Sequence, residues 1–144
     1  MTRYMPDEWA IPILDDLNRP FFTEGRLVLQ ACADCGTVQH PPEDVCHACH
    51  GSEFRRAETA GTGRIFTWAV MHYPVHPNLV DRIPYNVVLV ELDDHPHVRI
   101  LGNAVDLDGE APEIGMPVQV TFEHIKDPVT GDELKLPQWR RAES

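Results

Sequence analysis

Residues 30–54 read QACADCGTVQHPPEDVCHACHGSEF and hold all four cysteines of the chain, as the pairs Cys32/Cys35 and Cys46/Cys49. Two residues between thiolates let both sulfurs reach one ion from a single tight turn. A second such turn completes a tetrahedral sulfur site. Ten residues lie between the pairs, and Pro41-Pro42 among them supplies a chain reversal. Gly36 and Gly51 follow the two pairs and are expected to take the left-handed backbone that turns amide N–H groups toward the sulfurs. The expected cofactor is structural zinc on Cys32, Cys35, Cys46 and Cys49, since four protein ligands leave no position for water or substrate. The same ligand set also suits iron. Two disulfides or a redox Cys-x-x-Cys are the remaining readings, but a redox motif sits beside a strand–helix unit, and no such pattern occurs here. His40, His47 and His50 read as surface residues of the ribbon rather than as ligands.

Working outward, 144 residues make one ordinary domain or two small modules, and 42% hydrophobic with 24% charged residues fits a soluble globular chain. There is no apolar run of membrane-spanning length, and the start, MTRYMPDEWA, does not read as a signal peptide. Thiols committed to a metal point to the cytoplasm. The net charge is −11, and residues 81–113 alone carry eight acids against two arginines. A nucleic-acid binder shows a basic footprint, so this charge argues against that class.

Residues 1–24 read as an N-terminal helical arm. Leu14, Leu17 and Phe21 have helical spacing, Pro12 suits a helix start, and Pro20 is expected to end it. Trp9, Ile13, Leu14, Leu17, Phe21 and Phe22 give the arm more apolar surface than capping requires, which marks a partner-binding face. Residues 25–58 read as the ribbon, with short strands at 25–30, 38–41 and 53–58. Residues 59–144 read as a barrel. Strands are expected at 63–72, 84–92, 98–105, 117–125 and 134–139, with no long helix between them. In 63–72, Ile65, Thr67, Ala69 and Met71 alternate against Phe66, Trp68 and Val70. Five strands is the count of an OB-fold. The fold class is therefore mainly β: arm, rubredoxin-like zinc ribbon and a five-stranded OB-fold barrel.

Catalytic chemistry is poorly supplied. Ser52 and Ser144 are the only serines, no Gly-x-Ser-x-Gly elbow exists, and every cysteine is committed. His72, Tyr73 and His76 fall in a proline-rich loop where ligand contacts are expected. Arg64 and Arg82 are candidate bidentate donors to phosphates. His95 and His97, around Pro96, read as surface residues of a hairpin turn.

The segments PFFTEGRLVLQACADCG, CHACHG, GTGRIFTWAV, PYNVVLVEL, EIGMPVQVTFE and LPQWRRA, in that order from Pro20 to Arg141, resemble a family of small zinc-ribbon/OB-fold proteins formerly catalogued as a domain of unknown function. The resemblance implies partnership with thiolase-superfamily acyl-CoA enzymes, including lipid-transfer-protein-like aldolases that shorten sterol side chains. It implies ribbon and arm in subunit contact, and the OB-fold in contact with acyl-CoA. It carries no catalytic motif onto this chain. The expected function is an accessory subunit in a hetero-oligomer, with the carbon–carbon chemistry in the partner. The alternatives are a nucleic-acid module and an independent CoA-thioester enzyme.

Overall fold

A computed structural model describes residues 11–143; Trp9 lies outside them. One short helix, α1 (Arg19–Thr23), precedes a three-stranded antiparallel sheet of β1 (Val28–Cys32), β2 (Val38–Gln39) and β3 (Phe54–Glu58), ordered β2-β1-β3. The barrel follows with β4 (Thr62–Met71), β5 (Tyr85–Leu92), β6 (Arg99–Gly102), β7 (Ala104–Val105), β8 (Pro117–Lys126) and β9 (Glu133–Arg141). Its order, β6-β5-β4-β8-β9-β7, is antiparallel except for the parallel β7–β9 pair. Because β6 and β7 are consecutive, that parallel pair closes the sheet on itself.

Residues 98–105 were expected to form one strand, but Asn103 breaks it. Its side chain donates to Asn86 O at 2.6 Å, and its backbone N–H donates to Gln138 Oε1 at 2.7 Å. Asn86 in turn brackets Ala104, accepting its N–H and donating to its carbonyl. Gln138 Nε2 donates to Asn103 Oδ1 and to the wholly buried Glu123. This network satisfies the polar groups freed by the change of pairing partner, as burial requires. Five strand-forming runs thus give six strands.

Strict alternation along β4 also fails. A bulge lies between Ile65 and Thr67, so Ile65 pairs with Val90 and Trp68 with Val88. Ile65 and Trp68 therefore share the inner face, while Phe66 stays 44% exposed under a cation–π contact from Arg99. One extra residue switches every later side chain to the opposite face.

Pro20 begins α1 rather than ending it. In the first helical turn its missing N–H has no intrahelical acceptor to lose. Asp15 and Asn18 exchange backbone-to-side-chain bonds of 2.8 Å just before it. Phe21 is buried, with its ring 4.7 Å from that of His40, and Phe22 packs at the edge of the core. Ile13 and Leu17 remain exposed.

Ribbon and barrel do not have separate cores. Phe21, Leu27, Leu29, Ala31, Val38 and Ala57 belong to one buried cluster with Val88, Val98, Ile100, Val118 and Trp139. The inner face of the ribbon sheet is part of what the barrel buries.

Candidate metal centre and the ribbon–barrel junction

Cys32 ends β1 and Cys35 lies in the turn after it, while Cys46 and Cys49 sit in a second turn. All four sulfurs fall within 4.8 Å of one another, with Cys32–Cys49 at 3.5 Å and Cys35–Cys46 at 3.7 Å. A tetrahedral zinc with metal–sulfur bonds of about 2.3 Å needs edges of about 3.8 Å, so the cradle fits. Cys32 and Cys46 are fully buried, whereas Cys35 and Cys49 face solvent.

The two turns are built alike. Cys32 N–H donates to Thr37 O, and Gly36 N–H to Cys32 O. Cys46 N–H donates to Gly51 O, and His50 N–H to Cys46 O. Gly36 takes the left-handed backbone as expected, but in the second turn His50 takes it, not Gly51. Gly51 is small for another reason: a Cβ there would lie 2.6 Å from Asp34 Oδ2 and 3.3 Å from Cys49 Sγ.

The loop between the turns is held by two glutamines paired across β1 and β2. Gln39 Nε2 donates to Gln30 Oε1 and to Val45 O, while its Oε1 accepts from His47 N–H. Gln30 also bridges both backbone groups of Glu43. Sequence reading missed this pair. Glutamine at facing positions of two short strands was its only signal.

The sulfurs differ electrostatically. The Thr37 hydroxyl, 3.1 Å away, and the Thr37 backbone favour the Cys35 thiolate and pull its pKa down to about 6. The Gly51 N–H favours the Cys49 thiolate too, but the adjacent Cys32 and Cys35 sulfurs outweigh it and push that thiol up to about 12. Crowded thiolates repel, and a divalent cation at their centre removes the repulsion. The centre is a structural zinc site.

His40 is not the surface residue expected. Burial against Phe21 pushes its pKa down to about 4. His97 is exposed and His95 half-buried on the turn, yet both imidazoles are engaged. Their Nε2 atoms lie 3.0 Å from Glu58 O and 2.8 Å from Val38 O, both on the ribbon.

The proposed ligand residues do not converge. Arg64 is near the start of β4, donating to Gly115 O, and His72 follows the other end of the strand. Seven residues of strand lie between them, a span of roughly 26 Å along the chain. His72 and Tyr73 are exposed on the β4–β5 connection. His76 Nδ1 accepts from Asn78 N–H to cap the turn at Pro77–Leu79, and Arg82 N–H donates to Leu79 O. Among the described residues no helix is long and apolar enough to cross a membrane.

Two family models match: "ChsH2, rubredoxin-like zinc ribbon domain" over residues 22–55 and "ChsH2, C-terminal OB-fold domain" over residues 57–123. The solved structure described as "Ltp2-ChsH2(DUF35) aldolase" is similar over 92% of this chain and 100% of its own, with 36% identity and a TM-score of 0.75. The chain belongs to the ChsH2 (DUF35) family. A "DUF35 domain-containing scaffold protein" of Methanocaldococcus jannaschii is 35% identical over 98 residues, covering 67% of each chain. A "Probable enoyl-CoA hydratase alpha subunit" of Thermomonospora curvata is 40% identical over 117 residues, or 81% of this chain. This DUF35 chain spans only 34% of that hydratase subunit's length.

Proposed function

We propose that this DUF35 chain is an accessory subunit of a thiolase-like acyl-CoA enzyme that makes or breaks carbon–carbon bonds. Zinc ribbon and arm serve assembly, and the OB-fold barrel contacts the acyl-CoA. The observation that carries this reading is the full-length likeness to a chain whose description joins a DUF35 protein to an aldolase. The units of the proposal are the arm at 1–24, the ribbon at 25–58 and the barrel at 59–144. Ile13 and Leu17, exposed on the arm, are the partner-facing residues; Phe21 serves the core instead. Arg64 lies far along β4 from the His72–Arg82 segment, and within the proposal His72, Tyr73, His76 and Arg82 are the preferred set for the phosphates of CoA. The proposed compartment is the cytoplasm.

The test is to co-purify the tagged chain from its own host, identify the partner, and assay cleavage of CoA thioesters by each protein alone and by the pair. Activity should require the pair or reside in the partner. Turnover by this chain alone would overturn the proposal, as would a native complex lacking any thiolase-like protein. A labelled oligonucleotide at low salt should not bind by fluorescence anisotropy; tight binding would favour the nucleic-acid reading.

A further inference from the structure

The turn joining β5 to β6 touches the ribbon at two places and the link that leaves it at a third. His97 Nε2 reaches Val38 O at 2.8 Å, and His95 Nε2 reaches Glu58 O at 3.0 Å. Asp94 accepts from Thr59 Oγ1 at 2.7 Å and from Ala60 N–H at 2.9 Å, where the chain leaves the ribbon. Carbonyls only accept, so both imidazoles carry their proton on Nε2. Val98, just after the turn, is buried in the same cluster as ribbon residues Leu29, Ala31 and Val38.

One of the positions these groups grip lies beside the cysteine site. Val38 lies three residues past Cys35, on a two-residue strand whose geometry follows from the first cysteine turn. A strand that short does not persist alone, and in a ribbon of this size metal binding supplies folding free energy. β6, for its part, is four residues long and pairs with β5 alone among the described strands. Its far end is held where Asn103 turns the chain toward β9, and its Ile100 is buried in the core.

We propose that the Asp94–His97 turn is a latch by which the β5–β6 hairpin answers to the zinc. With metal bound, the ribbon holds the turn. With metal gone, Val38 O and Glu58 O lose their fixed positions, the hairpin is released, and β8–β9 stay paired. Metal loss is then felt on one defined side of the barrel, the side carrying the exposed Leu101 and the Phe66–Arg99 contact. This inference stands independently of the acyl-CoA reading.

Linkage makes the latch testable in both directions, because a contact that zinc stabilises must stabilise zinc in return. In the full chain, amide hydrogen exchange in residues 90–101 should rise at least about tenfold when a chelator strips the metal, with a smaller change in β8 and β9. In the zinc-loaded Asp94→Ala/His95→Ala/His97→Ala variant, whose four cysteines are intact, zinc affinity should fall about tenfold, the scale of a few exposed hydrogen bonds. His97→Phe alone should move affinity in the same direction. Should the stripped chain unfold throughout, the two zinc-loaded variants decide. Unchanged zinc affinity in the triple variant overturns the latch, and so does hairpin exchange that ignores zinc.

Discussion

His40 offers a sharp test of how the arm is seated. Its ring lies against Phe21, and burial lowers its pKa from 6.5 to about 4. The unfolded chain therefore takes up this proton before the folded chain does. Stability contributed by the neutral ring is complete above pH 6.5 and declines as pH falls toward 4. Two states binding one proton at those two pKa values differ by about 2 kcal/mol at about pH 5, and by almost nothing at about pH 7.5. The assay is urea unfolding of the zinc-loaded protein at both pH values, alongside a His40→Phe variant. The cysteine thiolates also compete with protons over this range, but they do so in both proteins and cancel in the difference. The variant should lose about 2 kcal/mol less than the parent on acidification. If parent and variant fall by the same amount, the arm does not bury His40 and the placement of α1 on the ribbon is wrong.

Replacing Cys46, whose sulfur is fully buried, by Ala should abolish metal binding and unfold the ribbon, read by metal analysis and by loss of exchange protection in residues 28–58. Trp139 is wholly buried, with its indole N–H unbonded among the described residues. Trp139→Ala should therefore cost about 3–5 kcal/mol, but Trp139→Phe under about 1.5 kcal/mol, because losing an orphaned donor offsets part of the lost packing. Equal costs for the two in denaturant unfolding would contradict this. Gly63 leaves no room for a side chain, since a Cβ would come within 2.4 Å of Glu91 O. Gly63→Ala should force the β4–β5 ladder apart and lower stability by about 1–3 kcal/mol in the same assay.

The sequence by itself determined the parts. Two Cys-x-x-Cys pairs specify a sulfur site because ligand reach from one turn depends on spacing alone. The runs at 84–92 and 117–125 specify strands because β-branched residues and turn punctuation are local signals. What only the tertiary structure decided is how the parts meet. The Ile65–Thr67 bulge inverted the face of Trp68, since one inserted residue leaves no compositional mark. Asn103 split a strand because two different neighbours, β5 and β9, compete for its two halves. His40, His95 and His97 looked like solvent-facing residues of loops and turns. Their environments come from Phe21, Glu58 and Val38, up to 59 positions away in the chain. Histidine has no strong preference for surface or interior, so its role is set by whatever long-range packing brings to it.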